Sequence, residues 1–318
     1  MLTIINNETN VLYNLALEEY VLKHLNIDED ILLIWQNRES VVIGRDQNPF
    51  RDLNYPFTYH HKLPIYRRLT NGETVYHDTG IINYSFIVKN LTENRNNHQV
   101  FMEPIVDILK NLGVNCHLED TGEICLNGKR ISINTQRLSK NKMVHHGVLF
   151  FNTDLEKANQ VLDAPKLNEF EFDKKIINRK NITNLKTYMK EDLSIKEFKN
   201  HLLKELISED LFDKKYELDY IDKTKIHKII KEKYDTWDWV YGESPNFIIK
   251  REFDNKMMIT LIIEKGIIKR VSIDSYVNVR ELLKCLEGCK FNEEALKVSL
   301  EKCSSVDSNK LIKTLLYQ

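Results

Sequence analysis

Apolar residues change period several times along this chain, and each change marks an element. Leu17, Val21 and Leu25 recur at helical spacing with Leu15 and Leu22 beside them, which predicts a helix near the start. Ile31–Trp35 and residues 40–44 and 80–88 are apolar runs of strand length and predict buried strands. Helical spacing returns over 100–112. A strand-turn-strand follows at 123–132, with Asn127 and Gly128 as a two-residue hairpin turn, and residues 148–151 predict another strand. Strands and helices alternate without the regular βαβ rhythm, so the pattern predicts an α+β fold.

From residue 156 to about 233 the chain turns charged, and its spacing predicts mostly helix. Ser194 with Glu197 three positions on has the form of a capping box, and the charge runs read as a solvated face. An aromatic stretch at 237–241 ends in Gly242 and Pro245, which punctuate the chain. Residues 1–240 and 245–318 are therefore expected to form two domains, the second a small α+β unit. In it, 256–264 and 267–273 flank Lys265-Gly266 as a hairpin, with helices near 279–286 and Glu293–Leu300.

Composition narrows the classes. The 318 residues carry 46 Lys+Arg against 47 Asp+Glu, which gives no general electrostatic case for nucleic acid or an anionic membrane. Cys116, Cys125, Cys285, Cys289 and Cys303 include no CxxC pair, and their odd number argues against a complete disulfide framework. The first residues lack a basic region followed by a long apolar run, and no later run reaches the roughly 18 to 20 residues of a membrane span. A soluble intracellular protein is the expectation. His145-His146 has no ligand at metal spacing, HExxH and GxSxG are absent, and no metal site is expected. Cys125, on the predicted hairpin, is the one cysteine placed for acyl transfer and also suits a small buried core position.

The chemistry concentrates in Arg67-Arg68-Leu69-Thr70-Asn71-Gly72-Glu73-Thr74-Val75-Tyr76-His77-Asp78. Two arginines supply fixed forks for carboxylate or phosphate, and a glycine turn lets backbone N–H groups approach the same anion. Taken with Asn14-Leu15-Ala16-Leu17-Glu18-Glu19-Tyr20, Lys129-Arg130-Ile131-Ser132, His145-His146-Gly147 and residues 178–185, in this order, the chain resembles the lipoate-protein ligase A family.

The resemblance implies a biotin/lipoate ligase-like catalytic domain with a mixed, largely antiparallel sheet and flanking helices, followed by the small accessory domain. It implies a cytoplasmic enzyme that uses ATP and Mg²⁺ to convert lipoate to lipoyl-AMP. The lipoyl group then passes to a lysine of a carrier domain, either an acyltransferase subunit of a 2-oxoacid dehydrogenase or the glycine cleavage H protein. Carried over position by position, Arg68 is the phosphate-side arginine and Asn71, Gly72, Glu73, Thr74, Val75 and Tyr76 line the nucleotide. His77, Asp78, Asn83, His146, Thr183 and Asn184 complete the lipoate and ATP site, while Arg130, with Lys129 before it, holds the place of the family's lysine.

Three positions depart from the family pattern. Its three glycines are Asn71-Gly72-Glu73 here, its lysine is Arg130, and Asp120-Thr121-Gly122-Glu123 lacks an expected arginine; Ile133 also replaces a glycine. The net positive charge of an adenylation site is expected to fall, because Glu73 adds an anion and an arginine is lost at 120–123; Arg130 keeps the charge but is not interchangeable with lysine in a tight site. Two functions follow from this pattern: a lipoate-protein ligase, or a divergent paralogue that binds or transfers lipoyl groups without efficient adenylation.

Overall fold

The computed structural model describes residues 1–89, 94, 96–163, 170–171, 181–207, 215–254, 257–275 and 279–317. Strands β1 (Leu2–Ile5), β2 (Ile31–Trp35), β3 (Ser40–Ile43), β4 (Ile65–Arg67), β5 (Val75–His77), β6 (Ile81–Val88), β7 (His117–Leu118), β8 (Ile124–Leu126), β9 (Lys129–Arg130), β10 (Ser132–Ser139) and β11 (Lys142–Phe150) come first. They build a sheet in the order β1-β2-β6-β11-β10 and two smaller ones, β4-β3-β5 and β7-β8-β9. In the large sheet only β1 and β2 pair in parallel. The expected largely antiparallel sheet is thus present.

Side chains alternate between the faces of this sheet and so divide the core. Leu32, Ile34, Ile82, Tyr84, Phe86 and Leu149 pack with residues of helices Gln99–Asn111 and Ile195–Leu206. Ile31, Leu33, Trp35, Ile87 and Val144 pack with helix Val11–Lys23 and with Val42 and Leu69. That helix starts at Asn10, whose side chain accepts from the Tyr13 N–H, and its middle is buried on all sides. Its polar residues Asn14, Glu18 and Glu19 therefore all require partners.

The C-terminal part contains β13 (Phe247–Phe253), β14 (Met257–Glu264) and β15 (Ile267–Ser275), with the short β12 (Phe170–Glu171) on the edge of β13, all antiparallel. Lys265 and Gly266, with φ of 51° and 68°, make the hairpin turn expected there. Helices Arg280–Leu286, Glu293–Leu300 and Ser308–Tyr317 belong to the same part. Its core is continuous with Val41, Ile43, Phe50, Leu53 and Tyr55 of the first part.

Arg67 fastens the junction between the two parts. Its guanidinium donates to the carbonyls of Gly44, Arg45, Gln47, Trp239 and Val240 and to Ser244 Oγ, and Trp239 Nε1 donates back to the Arg67 carbonyl at 2.8 Å. Burial pulls this guanidinium down to about 10, and the nearby Glu243 and Asp46 oppose that pull. The punctuated segment around Gly242 is therefore tied to the loop that precedes the arginine pair.

Several elements differ from expectation. The strand expected at 148–151 is the end of the nine-residue β11, and its partner β10 was not expected because Ser-Ile-Asn-Thr-Gln-Arg-Leu-Ser reads as polar. The strand β13 and the last helix were also not expected. Between 156 and 233, helices Leu155–Leu162, Ile195–Leu206 and Tyr220–Ile229 are present, the second opened by the Ser194–Glu197 capping box. Residues 181–183, however, run beside β9: Arg130 N–H donates to the Asn181 carbonyl and Thr183 N–H to the Arg130 carbonyl, both at 2.9 Å. Among the described residues no helix is long and apolar enough to cross a membrane.

Candidate functional site

A cleft of about 390 Å³ opens where the small sheet, β9 and helix Leu155–Leu162 converge. One wall is Glu73, Thr74, Val75 and Tyr76, four consecutive residues leaving the glycine turn. Arg130, Ile133, Phe150, Asn181 and Ile182 form the opposite side, and Ala158, Asn159, Gln160, Leu162 and Asp163 close it. Its size and its mix of apolar floor and few polar groups are those of a small-molecule site. Five of the site residues inferred from the sequence, Glu73, Thr74, Val75, Tyr76 and Arg130, meet here.

Arg130 is 3 % exposed, and its charge is held between two carboxylates. Nη1 and Nη2 donate to the two Glu73 oxygens, both at 3.0 Å, and Nη1 also donates to Glu123 Oε1 at 2.9 Å. Burial pulls this guanidinium down, but the bonds to Glu73 and Glu123 outweigh it and raise its pKa above the ordinary arginine value. Two of the departures seen in the sequence, and the Glu123 that ends the third, are thus one ion-paired cluster. Lys129 is exposed and, as the strand neighbour of Arg130, lies on the other face, so it does not join the cleft.

Arg68 lies against the glycine turn. Its fork faces the protein rather than the cleft: Nε donates to Thr70 Oγ1 at 3.1 Å, Nη1 to the Val42 carbonyl at 3.3 Å and Nη2 to the Asn71 carbonyl at 2.7 Å. Burial lowers its pKa to about 10, and Glu18 and Glu73 counter it. Gly72, with φ of +99°, lies so close that a Cβ there would sit 2.9 Å from Arg68 Nη2, and a Cβ on Gly44 would overlap the Gly72 carbonyl oxygen. Arg68 holds the turn from beneath, with Asn71 and Gly72 exposed above it.

Between the two sheets lies a buried polar layer. Glu18 accepts from Ser85 Oγ at 2.5 Å and pairs with His146 Nδ1 at 2.6 Å, and Trp35 Nε1 donates to Ser85 Oγ at 3.2 Å. Burial raises the Glu18 carboxyl, yet His146 and Ser85 outweigh it and leave its pKa below the usual carboxylate value. His77 Nδ1 lies 3.4 Å from Asn37 Nδ2, and burial, with His146 and Arg68 adding to it, pushes the ring down to about 3, so it is neutral near pH 7. Asn83 Nδ2 donates to the Trp35 carbonyl at 3.4 Å, and its buried Oδ1 has no hydrogen-bond partner among the described residues. His77, Asn83 and His146 share this layer and do not line the cleft. Glu18 was not singled out from the sequence, although a carboxylate in the middle of an apolar helix is the signal that marks it.

The remaining residues support loops. Asp78 accepts from Gly80 N–H, Asp154 N–H and Thr153 Oγ1 at 2.8 to 2.9 Å, while Asn184 exchanges two hydrogen bonds with the Thr153 backbone at 2.9 and 3.0 Å. Thr183 acts through the backbone bond to Arg130 given above. Asn178, Arg179 and Lys180 lie outside the described residues. His145 and His146 diverge, since His145 Nε2 lies 3.3 Å from Met102 Sδ on the opposite sheet face. Among the described residues no group of three His, Cys, Asp or Glu is placed to hold a metal, and Cys125 is a buried residue of β8.

Known proteins resemble this chain in sequence and in fold. Lipoate–protein ligase 1 of Staphylococcus aureus is 35 % identical over 306 residues, covering 93 % of this chain and 92 % of that protein. The lipoate-protein ligase LplJ of Bacillus subtilis is 33 % identical over 267 residues, covering 82 % of this chain and 80 % of that one. A Thermoplasma acidophilum lipoate protein ligase solved with bound lipoic acid superposes with a TM-score of 0.64 at 21 % identity, covering 75 % of this chain and 98 % of that one. The Plasmodium falciparum LipL1 complex with lipoate gives 0.60 at 21 % identity, covering 100 % and 99 %. These superpositions establish the biotin/lipoate ligase-like fold. Residues 10–207 match the lipoyl protein ligase A/B catalytic domain, and the chain belongs to the lipoate-protein ligase family.

Proposed function

We propose that this protein joins lipoate to ATP, releasing pyrophosphate, and passes the lipoyl group from lipoyl-AMP to a lysine amine of a carrier domain. The observation that carries the reading is the cleft bounded by the post-turn strand and Arg130, in a chain aligned over nearly its whole length with a named ligase. The ligase of Thermoplasma acidophilum has been studied with its E2 lipoyl domain, and a lipoate-protein ligase A has been solved with ATP. Acyltransferase subunits of 2-oxoacid dehydrogenases and the glycine cleavage H protein are the carriers proposed here.

In this reading the nucleotide occupies the cleft, and the lipoate carboxylate meets the α-phosphate next to Arg130. Two anions converge there, and a fixed cation in a partly buried site lowers the cost of bringing them together. Thr74, Val75 and Tyr76 line the nucleotide, and Arg68 keeps the turn in place. His77, Asn83 and His146 form the layer next to it on the lipoate side. Mg²⁺ is proposed as an ion carried by the ATP phosphates, neutralising their charge. The free cysteines support a cytoplasmic setting. Residues 1–240 and 245–318 are proposed as catalytic and accessory domains, with Arg67 tying the segment that leads from one to the other to the loop at 44–47.

The relatives are named as ligases, which gives no support to a paralogue without efficient adenylation. Lipoate-dependent exchange of labelled pyrophosphate into ATP isolates the activation half-reaction. Exchange that needs both lipoate and the intact chain is expected, and exchange at the background rate would refute the adenylation step.

A further inference from the structure

Glu73 and Arg130 both differ from the residues that the resemblance places at their positions, and the structure joins them. The two Arg130 nitrogens grip the two Glu73 oxygens at 3.0 Å each, the fork geometry by which a guanidinium binds a carboxylate or phosphate ligand. Glu73 belongs to the cleft wall, whereas Glu123, on Nη1 at 2.9 Å, does not. The Glu73 side chain is 14 % exposed, and it follows Gly72, an exposed turn residue with φ of +99°. Glu73 takes both terminal nitrogens of Arg130 on the cleft side. An anionic ligand entering the cleft can therefore reach that face of Arg130 only if Glu73 moves away.

We infer that Glu73 is an internal stand-in for the ligand's anion: it occupies the face of Arg130 that the nucleotide phosphate takes, and it leaves that face, together with turn 71–73, when the nucleotide binds. Glu123 stays on Nη1 as the anchor that keeps Arg130 aimed into the cleft. Glu73 is thereby a specificity-determining residue. An incoming ligand must replace both bonds that Glu73 gives up, which a phosphate with two free oxygens can do, so the pair selects for an anion that grips both Arg130 nitrogens. This rests on the cleft being the nucleotide half of the adenylation site.

Isothermal titration of the full chain with AMP and with adenosine, with neither lipoate nor carrier present, tests it separately from the ligase reading. Glu73→Gln is expected to raise AMP affinity about tenfold or more, because the ligand no longer has to break a charge-assisted pair on Arg130, which is worth at least the 1.4 kcal/mol that a factor of ten represents. Adenosine affinity should stay unchanged, and Glu123→Gln should leave AMP affinity unchanged or lower it. Glu73→Ala, checked by its melting temperature, repeats the test without a hydrogen-bonding side chain. AMP affinity that is unchanged or lower in folded Glu73→Gln and Glu73→Ala would overturn the inference. So would an equal rise in Glu123→Gln, or no AMP binding in any variant. A protein that binds AMP in this pattern but fails to lipoylate a carrier would refute the ligase reading and leave the inference standing.

Discussion

Arg67→Lys keeps a positive charge at the junction but removes its geometry. The arginine serves six acceptors, the carbonyls of Gly44, Arg45, Gln47, Trp239 and Val240 and the Ser244 hydroxyl, at 2.5 to 3.1 Å. A lysine ammonium has three donors on a point charge, so about three of those buried acceptors lose their partner. Each orphaned group costs about 1–3 kcal/mol, and relaxation around the site keeps the total near the lower end, at about 3–5 kcal/mol. Urea unfolding of wild type and variant, with the free energy extrapolated to water, measures this loss. Limited proteolysis should show faster cleavage near residues 242–245 in the variant, because the same bonds hold that segment to the loop at 44–47. A loss below about 1 kcal/mol with an unchanged cleavage pattern would mean that Arg67 does not fasten the junction.

Three further outcomes follow from the geometry. His77 has a folded pKa of about 3 against an ordinary 6.5, so its contribution to stability is complete above 6.5 and falls as pH drops towards 3; wild type should lose up to about 2 kcal/mol between pH 7 and 5 that His77→Gln keeps, measured by unfolding at both pH values. Gly44→Ala drives a Cβ into the Gly72 carbonyl and should slow lipoyl-AMP formation about a hundredfold by displacing the turn, and an unchanged rate would detach the turn from the chemistry. Asn184→Ala removes two hydrogen bonds to the Thr153 backbone and should destabilise the protein by about 2–4 kcal/mol, seen as a lower melting temperature.

Much of the fold could be read from apolar period alone. Ile31–Trp35 is a strand because an unbroken apolar stretch can be buried on both faces, Ile81–Val88 is one in which only Asn83 and Ser85 interrupt the apolar run, and Asn127-Gly128 and Lys265-Gly266 are turns because both positions take positive φ. By contrast, β10 was hidden: residues such as Asn134, Gln136 and Arg137 find partners only once the sheet exists, as when Arg137 Nη1 donates to the Leu69 carbonyl at 3.0 Å. The cleft was legible as the stretch after the glycine turn plus Arg130. What sequence could not supply was direction. Nothing in Arg67-Arg68 says that both forks turn inwards, one to the junction and one to the turn. Likewise, Glu73 is far from Glu123 and Arg130 in sequence, and nothing in the separate segments says that the three meet. In space they form one bonded cluster, in which two carboxylates hold one guanidinium.

The most direct test is the mass of a purified lipoyl carrier domain after incubation with this protein, ATP, Mg²⁺ and lipoate. The expected result is a mass increase of one lipoyl group, absent when ATP is omitted and absent when the carrier's acceptor lysine is replaced by arginine. An unmodified carrier, alongside a folded protein and a carrier that a known ligase lipoylates, would contradict the assignment of this chain as a working lipoate-protein ligase.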